Sequence, residues 1–261
     1  MKAMLRYATP VLFGVAVLAL WEFLVRQLDV PVFVLPAPSA IAVAFAENFT
    51  SLMGSFWTTL RVTLEGFIAA LLGGLALAML FSQSKIIENA IYPYAVVLQV
   101  TPVVAIAPLM LIWVGFERIN LALVIIAFIV AFFPILSNTT LGIRSTDHNL
   151  IDLFRLYGAS RWQILWRLQL PSALPYLLSA MKISGGLALV GAVVGEFSAG
   201  SGTATGLAWR ITEAANRLEI AKMFAELGLL AVLGITIFSA LSFVEWMLLH
   251  RWHESALKKQ G

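Results

Sequence analysis

From Ile119 to Leu141 the chain reads INLALVIIAFIVAFFPILSNTTL, without a charged residue. A helix needs roughly 20 mostly apolar residues to cross the hydrocarbon core of a bilayer. No water is available there for backbone amides and carbonyls, and a helix satisfies them all within one segment. This stretch therefore commits the chain to the membrane and to helix. Five more stretches share its character: Pro10–Leu28, Leu60–Phe81, Ile91–Val114, Tyr176–Phe197 and Glu226–Leu249. The expected architecture is all-α, a polytopic membrane protein with six transmembrane helices. Composition agrees, since 61% of residues are hydrophobic and 12% charged, against about 45–50% and about 25% in soluble domains.

Composition also removes function classes. Without cysteine there is no disulfide, no cysteine-ligated zinc and no cysteine nucleophile. The three histidines, His148, His250 and His253, form no metal-binding spacing, so no metal site is expected. A net charge of +3 suits loops facing anionic membrane lipid, and no concentrated basic face points to nucleic acid. The carboxylates are scattered, so the chain is not expected to be an enzyme. No GxxxxGK[ST] phosphate loop occurs, so any energy source for uphill transport lies on another chain. The glycines of the fifth span have a packing explanation instead. Gly191 and Gly195, with Ser184, Ala188 and Ala192, form small ridges at helical spacing that let helix backbones approach closely in lipid.

Lys and Arg favour cytoplasmic loops. With a cytoplasmic N-terminus, Lys2, Arg6, Lys85, Arg144, Arg155, Arg161, Arg167, Lys182, Arg251, Lys258 and Lys259 fall inside. Arg26, Arg61, Arg118, Arg210, Arg217 and Lys222 fall outside. Both termini are accordingly expected in the cytoplasm. The start, MKAMLRYATPVLFGVAVLAL, has the basic and apolar regions of a signal peptide, but no small-residue cleavage site follows, so it reads as an uncleaved span. Three domains are expected: residues 1–59, a first span with an outer linker; 60–249, a core of five spans with a loop at 144–175; and 250–261, a cytoplasmic tail. In the linker, Pro31, Pro36 and Pro38 impose an extended start, and Ser39–Phe49 has helical spacing suited to the interface. An amphipathic helix is expected from about Gly206.

The loop HNLIDLFRLYGASRWQILWRLQLPSALPYLLSAMK is the least bilayer-like part of the core. Asn149–Tyr157 suits one short helix with Asn149 as its N-cap. Gly158 permits a left-handed cap, and Ser160 caps a second helix ending near Leu170. Pro171 and Pro175 then bracket the return into the membrane. Leu153, Phe154, Tyr157, Trp162 and Trp166 offer more apolar surface than a solvated loop exposes. Such an elbow either lies on the bilayer, its arginines at the headgroups, or inserts into a cytoplasmic partner.

Its spacing resembles the cytoplasmic loop of permease subunits of binding-protein-dependent ABC importers: EAA, three residues, G, nine residues, I-x-L-P. Here Gly158 is followed by nine residues and then Leu168, Gln169, Leu170 and Pro171. Asp152, Leu153 and Phe154 take the EAA positions; Asp152 keeps the carboxylate, while Leu153 and Phe154 depart from the alanines. LPAPS (Leu35–Ser39), TLRVTLEGF (Thr59–Phe67), QVTPVVAIAPLMLIWVGF (Gln99–Phe116) and GEFSAGSGTATGLAW (Gly195–Trp209) are similar to the nitrate/sulfonate/taurine branch. The resemblance implies the MetI-like fold of type I importers in a bacterial inner membrane. It implies a second permease subunit, here a homodimer, two copies of an ATP-binding cassette subunit and a periplasmic solute-binding protein. ATP would be bound by the partner, and this chain would carry no cofactor. Asp152, Leu153, Phe154, Tyr157, Gly158, Ala159, Trp162, Leu170 and Pro171 would form the contact with the ATPase subunit.

Polar groups inside spans are functional candidates, because burying them in lipid is costly. Gln99 and Thr101 lie mid-span beside Pro102, in a helix expected to break at Pro102 and Pro108, and are assigned to the translocation pathway with Pro102. Glu196 is either a pathway or gate residue or half of a structural pair, for example with Arg210. Glu65 is expected to pair with Arg61. An anion path lined by Glu196 would be awkward, which favours a neutral or aromatic solute. LPYLLSAMKISGGLALVGAVVGEF is similar to permeases for pyrimidine-type vitamin precursors or riboflavin. A nitrate, sulfonate or taurine anion is the alternative solute, and a stand-alone secondary transporter the alternative class.

Overall fold

The computed structural model describes residues 2–200 and 205–250, and every element among them is helical. In chain order these are α1 (Lys2–Gln27), α2 (Pro38–Glu47), α3 (Phe49–Gln83), α4 (Lys85–Val100), α5 (Val103–Val114), α6 (Ile119–Arg144), α7 (His148–Leu156), α8 (Arg161–Ile164), α9 (Leu170–Ala199), α10 (Leu207–Asn216) and α11 (Ile220–Leu249). A 3-10 turn at Phe116–Arg118 precedes α6, and a π-helical turn at Leu165–Gln169 joins α8 to α9. Among the described residues five helical stretches are long and apolar enough to cross a bilayer, or six if the bent pair α4–α5 counts as one. The expected tail lies outside the described residues apart from His250.

The third expected span is the one that differs most. Its two halves, α4 and α5, meet at an angle of 104°. Proline disfavours helix at the residue before it and has no N–H to donate. Thr101 and Pro102 are accordingly extended, with ψ of 125° and 115°. Pro108 does not break the chain as expected; it stays inside α5, as membrane helices tolerate when neighbours re-satisfy the freed backbone group.

The loop before α9 also departs from expectation. Asp147, not Asn149, caps α7, its side chain accepting from the Asn149 amide. The second elbow helix does not end near Leu170, and Pro171 and Pro175 mark no turn: Arg161–Ala199 runs on as one helical stretch. The π turn makes this possible. Proline crowds the carbonyl four residues earlier, and the wider turn, in which the Leu170 amide reaches back to Leu165, accommodates that crowding. Ser172 Oγ donates to the Leu168 carbonyl at 2.8 Å.

The chain forms two compact units. One holds α1, α2, α10 and the first turns of α3 and α11. Its core is Leu52, Leu207, Ala225 and Leu229, with Ile41, Phe45 and Phe56 around them. Glu22 of α1 holds the start of α2: it accepts from the Ser39 amide at 3.0 Å, from Ser39 Oγ at 2.8 Å and from Arg26 Nε at 2.6 Å. α2 buries none of its residues, which suits a surface helix. α10 begins after Gly206 and buries Leu207, Ala208, Ile211 and Ala214, one apolar stripe of an amphipathic helix.

The other unit holds the rest of α3, α4 to α9 and the rest of α11. α6 lies at its centre, between α3 and α9. A Cβ on Gly66 of α3 would fall 2.5 Å from Ala127 Cβ, and one on Gly191 of α9 would fall 2.7 Å from Ala127 Cα. Two backbones thus approach one alanine of α6 from different sides. Gly195 backs on Leu123 and Ile126, and Ser184 Oγ donates to the Ala131 carbonyl at 2.8 Å. α11 crosses α9 where Gly185 meets Leu241 and Ile237, and a Lys182–Glu245 ion pair of 2.6 Å joins the same helices.

Candidate functional site

The elbow is built by local capping. At the end of α7 the Ala159 amide donates to the Phe154 carbonyl at 3.0 Å and the Gly158 amide to the Arg155 carbonyl at 2.9 Å. This pair of reversed bonds is the Schellman ending, and it places Gly158 in the left-handed region at φ +74°. Two residues later a capping box starts α8: the Gln163 amide donates to Ser160 Oγ at 3.3 Å, and Gln163 Oε1 accepts from the Ser160 amide at 2.7 Å.

Between the two helices lies a hollow of about 480 Å³, lined by Leu153, Phe154, Tyr157, Gly158, Ala159, Gln163 and Arg167. Five of the nine residues assigned to partner contact therefore share one concavity. Tyr157 and Leu156 stand out from it, 85% and 84% exposed. Asp152 is exposed beside the hollow and pairs with Arg155 at 3.2 Å. Trp162 and Pro171 are exposed, whereas Leu170 turns inward against Leu165 and Ala173. Gln163, Arg167 and Leu156 were missed. The first was legible, because Ser160-x-x-Gln163 is a capping-box spacing.

A second concavity forms at the broken helix. Its volume is about 330 Å³. Leu98, Gln99, Val100, Thr101, Pro102 and Val103 line it from the break, Ile129, Val130 and Pro134 from α6, and Leu187 from α9. None of these side chains is charged. The last carbonyls of α4 and the first amides of α5 have no partner within their own helices, so the break adds backbone polar groups. Thr101 Oγ1 donates to the Val97 carbonyl at 2.7 Å.

Glu196 is not among these residues. It is fully buried near the C-terminal end of α9, and it accepts a hydrogen bond from Thr59 Oγ1 at 2.8 Å. Arg210 bonds to Ser55 and to Glu213. Glu65 pairs with Arg61 at 2.7 Å across one helical turn. Two carboxylates escaped sequence reading. Glu88, in the first turn of α4, is buried and accepts from Lys85 at 3.0 Å and from Arg144. Glu226, near the start of α11, is fully buried with both oxygens lacking a hydrogen-bond partner.

Comparison with known proteins now bears on this geometry. The family described as "Binding-protein-dependent transport system inner membrane component" matches residues 66–259. Formylaminopyrimidine transport permease protein ThiX of Halalkalibacterium halodurans is 32% identical over 253 residues, covering 95% of this chain and 98% of its own. Riboflavin transport system permease protein RibX of Chloroflexus aurantiacus is 34% identical over 242 residues, covering 91% of this chain and 87% of its own. Among solved structures, the inward-facing MetNI methionine ABC transporter superposes with a TM-score of 0.62 at 20% identity, over 76% of this chain and 95% of that one. That likeness identifies the fold as the MetI type. The chain belongs to the binding-protein-dependent transport system inner membrane components, as an ABC importer permease of the branch that includes the nitrate and sulfonate permeases.

Proposed function

We propose that this permease works as one of two identical copies, each elbow seated in a groove of an ATP-binding cassette subunit, with a periplasmic binding protein delivering the solute. ATP is bound by the partner subunits, and both termini of the permease lie in the cytoplasm, the side on which the elbow protrudes. Asp152, Leu153, Phe154, Tyr157, Gly158, Ala159, Trp162, Leu170 and Pro171 make or shape the partner contact. Closure of the ATPase subunits rocks the elbows and switches the pathway between outward- and inward-facing states. The observation that carries this reading is the Schellman-capped elbow, whose apolar hollow and protruding Tyr157 and Leu156 form a surface for a partner.

Gly158→Val tests it. A β-branched residue strains a positive φ, while no neighbouring atom lies within 4 Å of its Cβ position, so the change acts on the elbow's shape alone. In proteoliposomes holding the full importer, the solute moved per ATP hydrolysed is expected to fall by about tenfold, a coupling defect. Unchanged stimulated ATPase together with unchanged uptake would remove the coupling role.

The solute is a small neutral heterocycle of the pyrimidine-precursor or riboflavin kind. The uncharged cavity at the α4–α5 break supports this, with Gln99, Thr101 and freed backbone groups as hydrogen-bonding partners. So do ThiX and RibX, whose names specify formylaminopyrimidine and riboflavin. Glu196 is held away from that cavity by its bond to Thr59 and serves the pathway only if the helices around it move. Solute binding to the partner binding protein decides the matter: tight binding of nitrate or taurine, with none of the heterocycles, would overturn this choice.

A further inference from the structure

The elbow follows the C-terminal end of α6, whereas the cavity lies against the middle of α6 and α9, and a movement at one must be delivered to the other. We propose that the Glu88–Arg144 ion pair is the strut that carries elbow movement into α4 and so to the broken helix at the cavity. This rests on the coupling role proposed for the elbow.

Arg144 is the last residue of α6, and only Ser145, Thr146 and Asp147 separate it from α7. Any displacement of α7 reaches Arg144 within one turn of chain. Glu88 sits in the first turn of α4, whose start is capped by Ser84. The pair thus joins the C-terminal end of one helix to the N-terminal end of another. Each charge is the one that its own helix end favours, a cation at the last turn and a carboxylate at the first. Arg144 is half exposed at 50%, while the Glu88 side chain is only 9% exposed and also accepts from Lys85. A buried carboxylate deprived of a cation is costly, so the contact resists opening when pulled.

A second tie runs parallel to the first. Arg161 Nη1, at the start of α8, donates to the carbonyl of Gln83 at 3.4 Å, immediately before the Ser84 cap. One side of the elbow is therefore tied to the start of α4 and the other to the last residue of α3, which adjoins it. Sideways slip is opposed by Tyr92 of α4, wedged between Phe81 and Phe133 with centroid separations of 6.3 and 6.0 Å. α4 has 16 residues and stays one helix through Pro93, a span of about 24 Å. Its far end is the Thr101–Pro102 break, the point where the backbone leaves helical geometry beside the cavity. A push at Glu88 is delivered where the chain is best able to bend.

The test uses the complete importer in proteoliposomes, with whichever of formylaminopyrimidine, riboflavin, nitrate or taurine its binding protein retains. Solute moved per ATP hydrolysed is measured per assembled complex for Glu88→Gln, Arg144→Gln and the double variant. Each single change is expected to lower the ratio by about tenfold, and the double variant to be no worse than either single, as for two parts of one coupling element. The chain has no native cysteine. In a cysteine-free complex, Glu88→Cys with Arg144→Cys should show the same loss, and a short bifunctional thiol reagent should restore most of the ratio. An unchanged ratio in the glutamine variants, or a loss that the cross-link deepens, overturns the strut. So does a fall in assembled complex at constant ratio, which marks a merely structural pair. Gly158→Val separates the two levels: if it uncouples while the glutamine variants do not, the elbow reading stands and the strut falls. If it too leaves the ratio unchanged, the elbow reading itself fails.

Discussion

Two residues in the left-handed region show how much a single backbone angle decides. Gly158 adopts it at φ +74° and Leu218 at φ +59°. The hydrogen bonds are the same in kind at both places: the Leu218 amide donates to the Ala215 carbonyl at 3.1 Å and the Glu219 amide to the Ala214 carbonyl at 2.9 Å. Glycine holds this geometry freely, whereas leucine holds it at a cost of roughly 1–2 kcal/mol. Leu218 is 73% exposed, so its side chain offsets little of that. Leu218→Asn is expected to stabilise the purified protein by about 1 kcal/mol, read as a higher unfolding midpoint of the detergent-solubilised chain. The reverse change at the elbow, Gly158→Val, trades the same angle for strain. Of these two positions only Gly158 was legible in the sequence, because glycine after an apolar helical run announces a cap. Leu218 announces nothing; its conformation follows from where α10 ends and α11 begins. Thr59 was equally silent, since nothing local links it to Glu196.

At the scale of elements, α9 separates glycines that pack from one that does not. A Cβ at Gly191 would lie 2.7 Å from backbone of α6, whereas one at Gly186 meets nothing within 4 Å. Gly191→Ala should therefore cost about 1–3 kcal/mol through overpacking, while Gly186→Ala should gain up to about 1 kcal/mol from helix propensity. Urea or thermal unfolding in detergent, followed by far-UV circular dichroism, compares the two directly. The spacing of small residues in α9 was readable, because a helix repeats its faces every few residues. Where that helix starts was not. Pro171 and Pro175 suggested a turn, yet the chain stays helical by widening one turn at Leu165–Gln169. A proline in a membrane helix can stop it, widen one turn or, as Pro108 does, stay within it, and its neighbours' packing chooses among these. Leu165 and Ile164 are buried there, which holds the stretch against the core. At Thr101–Pro102 the helix stops, and the break at that point was anticipated.

For the whole molecule the decisive prediction concerns dependence. As an ABC importer permease with no phosphate-binding loop of its own, the chain is expected to need its ATPase partner for uphill uptake. Purified permease in proteoliposomes should move no solute above background. Addition of the ATPase subunit, binding protein and ATP together should restore uptake, with omission of any one returning it to background; ATP-independent uptake by the permease alone would instead identify a secondary transporter. The all-helical membrane class was legible from apolar length, and the elbow from its glycine and proline spacing. The cavity was legible only in part, because Gln99, Thr101 and Pro102 are neighbours in sequence whereas Ile129, Val130 and Leu187 join them only through folding. The same contrast has a consequence in time. The clasp of Glu22 on Arg26 and Ser39 spans 17 residues and can close as soon as the first helix and its linker leave the ribosome. The bond from Thr59 to Glu196 spans 137 residues. At a synthesis rate of about 5–20 residues per second, Thr59 is made roughly 7–27 seconds before that carboxylate exists. Both compact units therefore wait for the C-terminal half of the chain, the second for α9 and the first for α10 and the start of α11, and the newborn chain depends on whatever shelters α3 until they arrive.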